Sequence, residues 1–318
     1  MRRILLIVPI LLLALSACSP PSVSIPTGGT QTSGSSGGSG SGACVDIKPS
    51  PNYLINLSEQ DAVAAINNAR KQEHLPALRL PAHFYDLSSV QQQFSLINLE
   101  RTDRGLHALQ LDPTLSQMAL AYSKQMLDLN FFSHTSPIGG SFEERFNDNP
   151  VIHGHFKVAA ENLAGDPVAG IGPMYNYMYN DASEACGHRH NILNADLTAV
   201  GIGVVSGSQY GSLSAQEFLD SAPWDPYKGG TPDVTPPTIT IQVSKNTQQG
   251  TANCRAFAQD DRQVVRITWF VDSVGNNAQV GASLTLKLSS LSPGKHVLFA
   301  YAVDGDQNYG VAQAEIIV

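Results

Sequence analysis

The sequence predicts an α+β protein: a helix-rich domain with a strand pair, followed by an all-β sandwich. Three observations carry this expectation. Apolar residues recur at helical spacing behind capping residues between Ser58 and Met126. Thr198 to Val205 alternates as a strand, with a hairpin partner over Gln209 to Phe218. Past a composition shift near Pro232 to Pro237, short β-rich runs follow one another at regular spacing.

In chain order, Met1-Arg2-Arg3 supplies positive charge and Ile4 to Ala17 one unbroken apolar run, the pattern of an export signal over residues 1–17. Leu15-Ser16-Ala17-Cys18 resembles a bacterial lipoprotein signal box, which makes Cys18 the expected site of lipidation. The alternative is a cleaved secretory peptide with Cys18 as a bystander. Residues 18–50 read as a tether. From Ser19 to Ala43 they are almost wholly Ser, Gly, Pro and Thr, with too few apolar side chains to offset the entropy of ordering. Gly34-Ser35-Ser36-Gly37-Gly38 spells a serine-hydrolase elbow, but without the strand and helix that motif needs.

Residues 51–85 are expected to form an outlying helical extension, with Ser58 and Asp61 as its cap and Ala62, Ile66 and Ala69 as its stripe. A second helix begins after Asp86, places Val90, Phe94, Ile97 and Arg101 on one face and stops at Gly105. Asp112-Pro113 opens a third, a capping residue followed by proline at the first helical position, with Leu115, Ala119, Tyr122 and Met126 as a core stripe. Ser141 with Glu144 signals a short fourth. Gly201 and Gly203 lack the third glycine and following helix of a dinucleotide loop, so close backbone packing in the sheet accounts for them better.

Composition excludes one class of partner. With 14% charged residues, a formal net charge of -8 and no Lys/Arg cluster after the signal, the chain has no electrostatic footprint for nucleic acid. With Cys18 assigned to lipid, Cys44, Cys186 and Cys254 remain, enough for one intrachain pair. A Cys44–Cys186 bridge would fix the loop at Gly187-His188 against the start of the domain, while small buried thiols without a bridge are the other reading.

The residues that carry chemistry lie in three motifs. Gln125-Met126-Leu127-Asp128-Leu129-Asn130-Phe131-Phe132-Ser133-His134-Thr135-Ser136-Pro137 is followed by Ala160-Glu161-Asn162-Leu163-Ala164 and by Gly187-His188-Arg189. With Leu99-Glu100-Arg101 they resemble, in order and spacing, the bacterial branch of the CAP superfamily: cysteine-rich secretory proteins, antigen 5 and pathogenesis-related 1 proteins. The resemblance runs from about Asp86 to Asp220 and assigns a CAP domain to residues 86–222. It implies an α-β-α sandwich with two histidines and one or two glutamates meeting in an open cleft. Carried over, these are His134, Glu161 and His188. Many family members have a second glutamate before the last motif. This sequence has none from Asn162 to Ser183, and Glu184 is the only candidate.

The chemistry of the trio agrees with that cleft. Neutral imidazoles bind zinc or another divalent cation well, and a nearby carboxylate can ligate the metal or hold a bound water as general base. His134 and His188 are therefore the expected metal ligands and Glu161 the candidate catalytic group. Asn162, Arg189 and His190 are expected in support, Arg189 and Asn191 as braces of the loop. Plainer readings exist for each: His134 bracing the junction after its helix, Glu161 and Asn162 satisfying buried donors in a turn. His153 and His155 have metal-ligand spacing and read as surface histidines. No His-Glu-x-x-His motif occurs anywhere in the chain.

Residues 235–318 are expected to form an immunoglobulin-like sandwich with strands over Thr238 to Val243, Ala252 to Ala258, Val264 to Val271, Ala282 to Leu288, His296 to Val303 and Val311 to Val318. Trp269 and Phe270 read as its core. Asp260, Asp261, Asp304 and Asp306 either gather calcium at one end or serve their turns. The whole reads as a lipid-anchored, extracytoplasmic protein of the cell envelope. Its cleft binds a divalent metal and a cell-wall, lipid or protein ligand. The alternatives are a zinc-dependent peptidase or esterase using the same cleft, and an adhesin working through the sandwich.

Overall fold

A computed structural model describes residues 23–24, 58–222, 225–275 and 277–318. The expected signal, Cys18, Cys44 and all of the expected tether except Val23–Ser24 lie outside the described residues; Val23–Ser24, expected as part of a flexible tether, pair instead with the main sheet as a short strand. Among those described, no helix is long and apolar enough to cross a membrane.

The first domain is built on a sheet of five strands in the order β1–β5–β7–β6–β2. These are β1 (Val23–Ser24), β2 (Gln110–Leu111), β5 (Phe156–Asp166), β6 (Ala199–Ser208) and β7 (Gly211–Ser221). All neighbours pair antiparallel except β2 with β6. β3 (Thr135–Ser136) and β4 (Gly140–Ser141) form a separate small ribbon. The expected hairpin over 198–218 is therefore present as β6 and β7. The Glu161-Asn162 stretch is not in the turn of its plainer reading: it is the middle of β5, the longest partner of β7. Buried on both faces, β5 shows no alternation to announce it.

Helices cover both faces of this sheet. α1 (Glu59–Gln72), α2 (Ser89–Thr102), α5 (Gly172–Tyr179) and α6 (Gly187–Ile192) share one core with Ala160, Ala164, Val200, Ile202 and Phe218. α3 (Pro113–Asp128) and α4 (Phe142–Asp148) pack with Ala159, Leu163, Leu213, Ala215 and Leu219, the alternate residues of the same strands. This is the α-β-α arrangement that the sequence implied. The caps form where the sequence places them: Ser58 accepts from Asp61 N, Asp112 from Leu115 N with Pro113 in the first turn, and Ser141 forms a capping box with Glu144.

α1 is not outlying. Ala62, Ala65, Ile66 and Ala69 are buried in the main core, and Arg70 pairs with Glu100 and Asp103 of the α2 end. Gly201 and Gly203 lie where α3 crosses β6, and a Cβ on either would overlap the backbone of Leu115 or of Ala119 and Leu120. Close packing is thus their role, as read from the sequence.

The C-terminal region folds as two antiparallel sheets. One has the order β11–β10–β13–β14, from Gln279–Val280, Val264–Val271, Lys295–Asp304 and Tyr309–Ile317. The other runs β12–β9–β8, from Ser283–Lys287, Thr251–Gln259 and Thr238–Asn246. Ala252, Cys254 and Leu284 of one sheet meet Trp269, Leu298, Ala300 and Ile316 of the other, the packing of a β-sandwich compatible with an immunoglobulin-like domain. Trp269 is fully buried and its indole N–H donates to Gly281 O at 2.7 Å. Phe270, adjacent and so on the opposite face, leaves that core and joins Ile138 of the first domain. The expectation that both aromatics fill the sandwich holds for Trp269 alone.

Candidate functional site

The site forms at β5, where the two faces of the sheet supply one histidine each. On the α3 face, α3 ends at Asp128 and the chain turns through Asn130, in the left-handed region at φ 52°, before delivering His134. Its Nδ1 lies 2.6 Å from Glu161 Oε1. Arg145 of α4, fully buried, binds the other oxygen of Glu161, donates to His134 O at 2.8 Å, and lies 3.6 Å over the Tyr122 ring. Burial alone would raise the Glu161 carboxyl, but the Arg145 guanidinium and the His134 hydrogen bond hold it below its ordinary range. Both oxygens of Glu161 are thus engaged.

On the other face, His188 stands at the start of α6 with Nδ1 2.5 Å from Asp181 Oδ1 and its ring 5.0 Å from that of Tyr177. Asp181 also accepts from Arg189 N at 3.1 Å. The carboxylate sought at Glu184 is therefore Asp181. Glu184 lies in the single 3₁₀ turn that follows, and the missing glutamate is replaced by a shorter acid next to the turn. Asn162 and Asn191 join the two halves. Asn191 Nδ2 donates to Asn162 Oδ1 at 2.9 Å and to Glu161 O at 3.3 Å, and Asn162 Nδ2 to His188 O at 3.3 Å.

The Nε2 atoms of His134 and His188 are both buried and have no hydrogen-bond partner. With each Nδ1 held by a carboxylate, the rings present these nitrogens as the free donors or acceptors of the site. Arg189 braces the loop as expected, through Met178 O at 2.8 Å and Glu73 Oε1 at 2.5 Å. His190, expected in support, is exposed instead, because it lies on the solvent side of a helix whose other face carries His188 and Asn191. His153 is exposed and His155 contacts Asp225 O at 3.1 Å, both at the surface. Cys186 is disulfide-bonded, and Cys254 is a free, buried thiol.

Sequence reasoning missed Arg145 and Glu217 as well as Asp181. Glu217 lies opposite Glu161 in the β5–β7 register and is 1% exposed. Its signal was present: strand alternation sets it in line with Leu213, Ala215 and Leu219, a charge on an apolar face. The four aspartates of the calcium alternative do not gather as a set. Asp260 and Asp304 meet Asp233 of the interdomain segment instead, with ligand atoms within 4.8 Å. Burial, with Asp233 and Asp260 nearby, pushes the Asp304 carboxyl up to about 7. Asp306 turns to Asn149 at 2.6 Å and Asp261 is exposed.

Residues 94–218 match the cysteine-rich secretory protein (CAP) family. The uncharacterized protein YkwD of Bacillus subtilis (strain 168) is 36% identical over 124 residues, 39% of this chain and 44% of that protein. The uncharacterized membrane protein YlbC of the same strain is 32% identical over 117 residues, 37% and 32% of the two chains. Among solved structures, an extracellular protein containing an SCP domain from Bacillus anthracis str. Ames is 31% identical, covering 42% of this chain and 40% of that one with a TM-score of 0.35. The chain spans less than half the length of each of these relatives. By the match of residues 94–218 and the identity to the two Bacillus subtilis proteins, the α-β-α domain is a CAP domain of the cysteine-rich secretory protein family.

Proposed function

We propose that this CAP domain is a binding module whose cleft takes a divalent cation through His134 and His188 and presents it to a ligand of the cell envelope. The observation that supports it is the pair of buried, unpartnered Nε2 atoms, each on a ring whose Nδ1 is held by a carboxylate. Carboxylate–histidine pairs of this kind fix the tautomer and raise the basicity of a metal-binding nitrogen. Each histidine offers one free nitrogen, and since among the described residues only Asp233, Asp260 and Asp304 form a cluster of three or more ligating groups, water and the ligand itself would have to join the two imidazoles in completing a coordination sphere. The cation would supply an electrophilic anchor for a carboxylate, phosphate or carbonyl oxygen. His134 and His188 would hold it, while Asp181, Glu161 and Arg145 orient them.

Binding is favoured over hydrolysis by the state of Glu161. A general base needs a free carboxylate oxygen facing the bound water, and here Arg145 and His134 occupy both. The envelope setting rests on the export signal and Cys18 in the sequence, and on the extracellular Bacillus anthracis relative. Zinc calorimetry on the whole protein tests the reading. One bound zinc is expected, lost in the His134→Ala, His188→Ala double variant; no heat of binding in the parent would end the metal reading. Fatty-acid labelling in the producing cell, abolished by Cys18→Ala, tests the anchor.

A further inference from the structure

One acidic group in the site has no part in the reading above. Glu217 of β7 is paired in register with Glu161 of β5 on one side and with Gly201 of β6 on the other. Residues directly opposite one another on paired strands share a face of the sheet, and here that face is covered by α3, whose backbone abuts Gly201. The groups that meet Glu217 are Glu161 from β5, Arg145 from α4 and Tyr122 from α3, while Gly201 brings no side chain. Glu161 and Glu217 are 0% and 1% exposed. A single guanidinium serves both: Arg145 Nη2 binds Glu161 and stands 3.9 Å from Glu217 Oε1. Glu217 Oε2 is buried without a hydrogen-bond partner.

Two ionised carboxylates against one guanidinium would leave a negative charge uncompensated in a pocket closed to water, and a proton held by one of them removes it. Glu161 keeps its charge, because Arg145 and His134 both address it. Burial, and then the charge on Glu161, drive Glu217 well above the ordinary carboxyl range. We propose that Glu217 is a positioning residue held as the neutral acid, donating a hydrogen bond to Glu161 and fixing that carboxylate where it orients the His134 ring. Glu161 is then gripped from three sides, by Arg145, Glu217 and His134, and the His134 Nε2 is left as the ring's unpartnered nitrogen. The consequence for ligand binding rests on the function proposed above. The neutral acid and its effect on His134 do not.

The experiment uses the whole protein without metal, so that a failure to bind zinc has no bearing on its outcome. Unfolding constants of the wild type and Glu217→Gln are measured by urea titration from about pH 5 to about pH 8. A carboxyl raised in the folded state gives stability that is complete below its unfolded value and lost as pH rises toward its folded one. Glutamine donates the same hydrogen bond and cannot ionise. The ratio of the two unfolding constants, wild type over variant, is therefore expected to grow with pH above the ordinary carboxyl range, by up to about tenfold per pH unit until the folded-state value is reached. A ratio independent of pH would overturn the neutral acid. Nitrogen-15 spectra of the imidazoles then read the positioning. A single sharp His134 Nδ1–H signal is expected in the wild type and in Glu217→Gln, and a broadened or doubled one in Glu217→Leu. An unchanged His134 signal in folded Glu217→Leu would overturn the positioning role.

Discussion

Arg145 is the residue on which the charges of the site converge. It lies in no motif that the sequence advertises, yet its guanidinium binds Glu161, the carbonyl of His134 and the face of Tyr122 at once. Removing one partner of a buried ion pair leaves the other charged and dry, at a cost of about 3–5 kcal/mol. Arg145→Met is expected to lose about that much in urea unfolding at neutral pH. The acid limb should change with it. Glu161 is depressed in the folded wild type, so its stabilisation is present above the ordinary value of 4.5 and is lost as pH falls through its lower folded one. In Arg145→Met this acid-side loss should disappear, since burial then raises Glu161 instead. Equal acid profiles in the two proteins would contradict the pairing. His134, Glu161 and His188 were legible because each is embedded in a contiguous motif. Asp181 and Arg145 were not, because each acquires its role only when separate elements meet, and Glu217 showed only as a charge in line with the apolar residues of its strand. Asp181 differs besides from the glutamate that the resemblance implies: an aspartate beside the turn reaches His188 with one methylene fewer.

Elements that announce themselves do so at their ends and on one face. α1, α3 and α4 have side-chain caps in the sequence, and the β6–β7 hairpin alternates along its length. β5 has neither signal, since helices cover both its faces and every residue from Ala159 to Ala164 is buried. The short helix α6, bearing His188, begins at a left-handed Cys186 with no side-chain cap. What holds it is long-range: Arg189 reaches Glu73, just beyond the end of α1. The contact between α3 and β6 is the tightest test of the element packing, because α3 carries Tyr122 and leads into the His134 turn. Gly201→Ala sets a Cβ against the Leu115 backbone, which cannot move without shifting the helix. Overpacking of this kind costs about 1–3 kcal/mol, and the upper end is expected here, read as a fall in Tm with the fold retained. An unchanged Tm would mean that α3 stands off β6 in solution.

Across the whole molecule, the sandwich is seated on the segment that carries the site. Ile138, four residues past His134, packs with Phe270, Tyr301 and Val303, and its carbonyl accepts from Thr268 Oγ1 at 3.1 Å. Around that apolar centre, Gln125 Nε2 donates to Gln307 O at 2.7 Å, Asn149 Nδ2 to Asp306 Oδ1 at 2.6 Å, and Arg266 to Glu144 at 2.7 Å. None of this was legible in the sequence, where Phe270 read as sandwich core and the change of composition near Pro232 to Pro237 marked only the passage from one domain to the next. The stretch from Ser136 to Asp148 is thus held between β5, which takes Arg145, and the sandwich, which takes Ile138 and Glu144. An interface combining a buried aromatic with buried hydrogen bonds couples the unfolding of its two sides. Calorimetry of the wild type is therefore expected to show both domains melting in one transition. Phe270→Ala removes the largest apolar group at the seam, worth about 3–5 kcal/mol when buried. It should split the transition, with the CAP domain melting first because the Ser136–Asp148 segment has lost its outer support. The Trp269 environment, on the opposite face of the same strand, should keep its native fluorescence until the second transition. A variant that melts once, at the wild-type Tm, would show that the seam holds the two domains side by side without coupling them.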